Sequence, residues 1–144
     1  MALENIEAVL PLSPAQEAVL LKSDNPGANC GHFSCHLLGQ LDPSAFSAAW
    51  QAVVDAHPIL RAAFVWKRVE KPLQVVRKQL KLTVDYQDLR DCSDDTQQAW
   101  FDGFTPEIEQ ANIDPAEPPL IRLTVVRKRD DEYRFICSYH LLAL

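Results

Sequence analysis

The side chains able to do acid–base chemistry in these 144 residues are few: His32, His36, His57 and His140. No Ser or Cys nucleophile elbow and no metal triad accompanies them, and four glycines in the whole chain leave no phosphate-cradling loop. Cys30-Gly-His32-Phe-Ser-Cys35-His36 holds zinc-compatible residue types. Alternation along a strand would send Cys35 and His36 to opposite faces, however, and closed zinc sites use two ligand pairs in recognised spacing, so no metal is expected. His57 stands before Pro58, where a ring at a helix end meets the negative end of the helix dipole. His140 follows an apolar run, at a strand end where a general base is often carried. Periodicity alone favours a structural imidazole at both positions.

The elements that must position these residues are marked by punctuation and period. Ser13-Pro14-Ala15-Gln16-Glu17 reads as a capped helix start, with Asp24-Asn25-Pro26-Gly27 as its stop. Phe33 to Leu41 reads as a strand. Asp42 caps a second helix with Pro43 in its first turn, and Ala45, Phe46, Ala49, Trp50, Val53 and Val54 recur at spacings of three and four. That helix ends near His57, because Pro58 cannot continue the ladder. Strand-like runs follow at Phe64–Trp66, Leu73–Val76 and Leu82–Tyr86, with Lys67–Pro72 as a polar turn. A third helix is expected from Asp94 or Asp95 to Asn112, broken at Gly103 or Pro106. Leu120–Val126 and Tyr133–Tyr139, around the charged turn Arg127–Glu132, read as an antiparallel hairpin. The expected fold class is α/β: a two-layer sandwich with a mixed sheet.

Composition narrows the function. Fourteen basic against twenty acidic residues give a net charge of −6, which disfavours a non-specific grip on nucleic acid or anionic membrane. No apolar run approaches the roughly 18–20 residues that span a bilayer. Met1–Leu10 lacks a basic start and carries Glu4 and Glu7, so it does not read as a secretory signal, and a cytoplasmic location is expected. The four cysteines show no CxxC pair and are expected to be reduced. Trp50, Trp66 and Trp100 read as core or interface aromatics. The apolar run after His140 predicts that the natural polypeptide continues past Leu144.

Six blocks in order resemble one family. They are Leu12-Ser-Pro-Ala-Gln-Glu17; Leu41-Asp-Pro-Ser-Ala-Phe46 with Ala49-Trp50; Val53-Val-Asp-Ala-His-Pro-Ile-Leu-Arg-Ala-Ala-Phe64; Pro72-Leu-Gln-Val-Val76; Pro119-Leu-Ile-Arg-Leu123; and Phe135-Ile-Cys-Ser-Tyr-His140. Together they look like the N-terminal lobe of a condensation domain of nonribosomal peptide synthetases. The resemblance implies one lobe of a chloramphenicol-acetyltransferase-like fold spanning residues 1–144, with a second lobe to complete the domain. It implies amide-bond formation between an acyl donor and an amine acceptor, each carried on the phosphopantetheine of a carrier protein, with no cofactor bound directly. The family signature is His-His-x-x-x-Asp-Gly, whose second His manages the proton of the attacking amine.

Two registers fit. With His140 as the first His, Leu141 occupies the catalytic second-His position and Asp-Gly falls just beyond Leu144. With His140 as the catalytic His, Tyr139 and Leu144 both break the motif. The first register has one mismatch against two and is favoured, so a domain impaired in condensation is expected, and this chain alone is expected to be inactive. By resemblance Arg61 braces the motif Asp through a bidentate pair, which leaves its partner in this chain open. The alternative function is a degenerate lobe that serves as a carrier-protein docking module; a third is an acyltransferase acting on a CoA thioester. Arg127-Lys128-Arg129, flanked by three acids, reads as a solvated hairpin tip or a carrier contact. The apolar end, Leu141–Leu144, is expected to be exposed where a second lobe would sit.

Overall fold

The computed structural model describes residues 3–22, 24–110 and 112–144. Two sheets carry the fold. The larger has the order β2-β7-β6-β5, from strands β2 (Cys30–Leu38), β5 (Val84–Asp88), β6 (Ile121–Arg129) and β7 (Glu132–His140). β5 runs parallel to β6 while the other pairings are antiparallel, so the sheet is mixed as expected. The smaller is three-stranded, β1-β4-β3, from β1 (Ile6–Pro11), β3 (Ala62–Val65) and β4 (Leu73–Arg77). The expected α/β class holds.

Each helix begins where its cap chemistry dictates. Helix α1 (Pro14–Leu21) opens on a capping box: Gln16 N–H donates to the Ser13 hydroxyl and the Gln16 side chain accepts from Ser13 N–H. In α2 (Pro43–Ala56), the Asp42 carboxylate accepts from the N–H groups of Ser44 and Ala45. Asp42→Ala leaves both donors without a protein partner, and is expected to lower stability by about 1 kcal/mol in a denaturant titration. Helix α3 (Asp94–Glu109) is capped by Ser93, and buried Gln97 pins it by donating to the Leu89 and Lys128 carbonyls at 2.8 and 3.0 Å.

The period of two along β6 and β7 explains where the helices lie. Leu123, Val125, Phe135 and Cys137 join the main core with Phe46 and Trp50 of α2. Their alternate neighbours Val126 and Ile136 meet Trp100, Phe101, Phe104 and Ile108 of α3. The two helices therefore cover opposite faces of the larger sheet. Phe135 sits at the centre of the first face, with the rings of Phe46 and Trp50 at 5.4 and 5.7 Å.

Several sequence expectations are corrected. Strand β1 was not expected, and the residues Met1 and Ala2 of the Met1–Leu10 reading lie outside those described. Strand β2 begins three residues before Phe33 and ends at Leu38. β3 starts at Ala62, and β5 occupies Val84–Asp88 instead of Leu82–Tyr86. Helix α3 is unbroken at Gly103 and Pro106. Gly103 lies on open surface, Pro106 disrupts only the last turn, and burial of the Trp100–Ile108 face carries the helix through both. It stops before Asn112, and position 111 of the expected range lies outside the described residues. The hairpin turn shrinks to Asp130-Asp131, because Arg127–Arg129 and Glu132 pair as strand. Cys137 is buried, Cys30 and Cys92 are half-buried, Cys35 is exposed, and all four are free thiols.

Candidate functional site

Strand β7 delivers His140 to a point where four segments meet. Its backbone N–H donates to the Leu120 carbonyl at 2.9 Å, and the next N–H, that of Leu141, donates to the Asn29 carbonyl at 2.8 Å. The imidazole is completely buried. Nδ1 accepts from Leu142 N–H at 3.1 Å, and since a backbone N–H can only donate, the ring proton belongs on Nε2. Nε2–H then donates to the Pro26 carbonyl at 2.6 Å. The same carbonyl accepts from the Asn29 amide, which also reaches the Val19 carbonyl at the end of α1. His140 thus ties the 3-10 turn Leu141–Ala143 to the turn Pro26–Ala28 and, through Asn29, to α1.

Burial pushes the His140 pKa below its ordinary value, partly offset by the bond to the Pro26 carbonyl. Between this lowered value and about 6.5, the unfolded chain binds a proton that the folded chain does not. The stabilisation is therefore complete above about pH 6.5 and is lost as pH falls through that window. Thermal melts of wild type and His140→Gln are expected to run parallel above pH 7 and to converge on acidification; a constant difference from pH 7.5 to pH 5 would contradict this.

With both ring nitrogens engaged, His140 has no free lone pair for a substrate proton. The neighbouring side chain, Leu141, is 42% exposed and can neither accept nor donate one. Leu144 is exposed too, whereas Leu142 and Ala143 are buried, which corrects the expectation that the whole run Leu141–Leu144 lies open. Beside it, Phe33, Trp50, Leu60, Tyr139 and Leu144 line an apolar groove of about 330 Å³. A Cβ at Gly31 would sit 2.7 Å from the Tyr139 ring, so a side chain there would have to displace that ring.

Arg61 is buried. Its Nη1 lies 2.6 Å from the Glu7 carboxylate and bonds the Arg77 carbonyl, while Nε donates to the Val54 carbonyl at 3.2 Å. The partner left open in the sequence is Glu7, and no hydrogen bond joins Arg61 to residues 140–144. The guanidinium instead joins the end of α2 to β1 and β4. Arg61→Met is expected to destabilise by roughly 2–3 kcal/mol, because it leaves buried carbonyls unpaired while the half-exposed Glu7 regains water. Glu7→Gln, which keeps an acceptor, is expected to lose less than about 1 kcal/mol in the same denaturant titration.

The remaining candidates lie apart. His57 caps the C-terminus of α2 through its backbone N–H, and its exposed ring makes no capping bond. His32 and His36 lie on exposed positions of β2, with His36 Nε2 at 2.5 Å from the Arg134 guanidinium. Among the described residues no group of three His, Cys, Asp or Glu side chains could hold a metal ion. At the hairpin tip Arg127 lies over the Tyr133 ring, Lys128 pairs with Glu132, and Arg129 pairs with Asp94 and Glu132. Its cations are answered within the chain. Glu7 was missed as a site residue because a lone acid in a short apolar run carries no signal until β1 is paired with β4.

Comparison with known proteins places this geometry. The condensation domain family model matches residues 6–142, so the chain belongs to that family. A linear gramicidin synthase polypeptide of Brevibacillus parabrevis is 39% identical over 142 residues, covering 97% of this chain and 2% of the relative. Bacitracin synthase 3 of Bacillus licheniformis is 32% identical, covering 96% and 2%. Among solved structures, the cyclization-docking bidomain of the EpoB synthetase from Sorangium cellulosum superposes with a TM-score of 0.81 at 22% identity, over 99% of this chain and 30% of that one. The starter condensation domain of rhizomide synthetase RzmA gives 0.76 at 18%, over 94% and 34%. The fold is therefore that of condensation domains, and the chain spans about a third of those solved chains and a few per cent of the curated relatives.

Proposed function

We propose that residues 1–144 form the N-terminal lobe of a condensation domain, which with a second lobe forms an amide between an acyl donor and an amine acceptor presented by two carrier proteins. In this reading His140 is the first His of the motif and a positioning residue, and Leu141 stands where the catalytic second His belongs. The observation that carries the register is the saturation of the His140 ring: both nitrogens hold backbone groups. Within these residues Arg61 braces the lobe through Glu7. No cofactor is bound directly, since the thioester arrives on phosphopantetheine. No helix among the described residues is long and apolar enough to cross a membrane.

Chemistry at this site reduces to positioning two substrates and moving one proton. With leucine at 141 the positioning survives and the proton transfer is lost, so amide formation is slow. The observation that Leu141 is aprotic and partly exposed also favours a second reading, a lobe that docks carrier proteins without catalysing. The test is single-turnover acyl transfer by the polypeptide carrying these residues, with donor and acceptor each on its carrier protein. Slow, carrier-dependent amide formation is expected. Equal or faster transfer from a free CoA thioester would assign the chain to CoA-dependent acyl transfer instead.

A further inference from the structure

On the opposite face of the larger sheet from the Trp50 groove, a cleft of about 670 Å³ opens between the second half of α3 and strands β5, β6 and β7. That volume is typical of small-molecule sites. Its walls are apolar, from Phe104 and Ile108 of α3 and Ile136 of β7. Its floor carries two hydroxyls, on Thr124 at 8% exposure and Ser138 at 6%. Neither side chain makes a hydrogen bond to the described residues, and neither hydroxyl is sealed from the cavity. Hydroxyls that face a cavity without a protein partner are completed by water or by a ligand.

The charges around the cleft choose the ligand. Lys81 and Arg122 stand against Asp85, Glu107, Asp114 and Glu117. Arg122 is engaged with the Asn112 carbonyl, Asp85 with the Gln87 amide and Asp114 with Ala116 N–H. The carboxylates of Glu107 and Glu117, and the single ammonium of Lys81, make no hydrogen bond or ion pair with the described residues, so the unanswered charges are two acids against one base. The cleft is thus acidic at its rim, apolar along its wall and hydroxylic at its floor.

We propose that this cleft binds a small primary amine with an apolar body, the ammonium taken by Glu107 or Glu117 and the hydroxyls of Thr124 and Ser138. The site is separate from position 141 and does not depend on the register assigned there. Isothermal titration of the full chain with phenethylamine, and with 3-phenylpropionate as the isostere of opposite charge, tests it. Phenethylamine is expected to bind at least tenfold more tightly than 3-phenylpropionate. Thr124→Val, which conserves shape, and the paired surface change Glu107→Gln with Glu117→Gln are each expected to weaken it about tenfold, with Leu141→His leaving it unchanged. Equal affinity for the two probes, no heat with phenethylamine, or binding that survives both variants would overturn the proposal.

Discussion

Leu141→His is expected to raise single-turnover amide formation by about 10²–10⁴-fold in the polypeptide carrying this lobe, the range a positioned general acid–base group supplies. The backbone that would present the new imidazole already exists. Leu141 N–H is held by the Asn29 carbonyl, and the preceding residue is locked on both sides of its ring. The side chain at 141 is half-exposed beside buried Leu142, so a histidine there keeps a solvated nitrogen and an ordinary titration range. The rate gain should therefore follow a rising limb near about pH 6.5. Leu141→Gln, polar but without acid–base capacity at neutral pH, should give little of it. A gain equal in both variants would mean that polarity, and not proton transfer, is what leucine withholds.

The second large effect is structural. His140→Ala is expected to destabilise the fold by roughly 3–5 kcal/mol in denaturant titration, with amide-hydrogen protection lost first at Leu141 and Leu142. Truncation leaves Leu142 N–H without its acceptor and the Pro26 carbonyl without one of its three donors, and opens a void in a fully buried site. His140→Asn separates the causes. An Asn amide can present an oxygen to Leu142 N–H while leaving most of the void, and should recover only part of the loss. Full recovery would assign the effect to the single bond to Leu142; no recovery would assign it to packing.

How much of this was legible in the residues depended on which signals are local. The caps of α1 and α2 are written in Ser13-Pro14-Ala15-Gln16 and Asp42-Pro43, and the structure places both helices there, because capping is satisfied within one turn. The β6–β7 hairpin was equally readable from its alternation, though its charged flanks read as turn. Those flanks pair because Lys128–Glu132 and Arg129–Glu132 neutralise one another along the ladder. Helix α3 defied its own Gly103 and Pro106, since its apolar face is held by Val126 and Ile136, residues far away in sequence. Strand β1 was unreadable for the same reason: its partner β4 lies more than 60 residues on.

The site divides along the same line. That His140 stands at the end of a strand follows from the apolar alternation before it, and its motif context follows from six ordered blocks. What the ring binds does not, because Pro26 lies 114 residues away and only the folded chain brings that carbonyl to 2.6 Å. Arg61 is the clearest case. The resemblance left its partner within this chain open, and the fold supplies Glu7, 54 residues away. The acidic cleft under α3 has no sequence signature, since it is assembled from residues of three strands, one helix and two loops.

The proposed chemistry rests on one division of labour: residue 140 positions, and the reacting side chain belongs at 141. Nitrogen-15 NMR of histidine-labelled protein tests it most directly. His140 is expected to be a single neutral tautomer protonated on Nε2 at neutral pH, with a slowly exchanging ring proton and a titration displaced below the ordinary imidazole range. A His140 protonated on Nδ1, or one whose ring titrates freely near about pH 6.5, would mean an open nitrogen able to take a substrate proton. That result would return the catalytic role to residue 140 and contradict the division between the two positions.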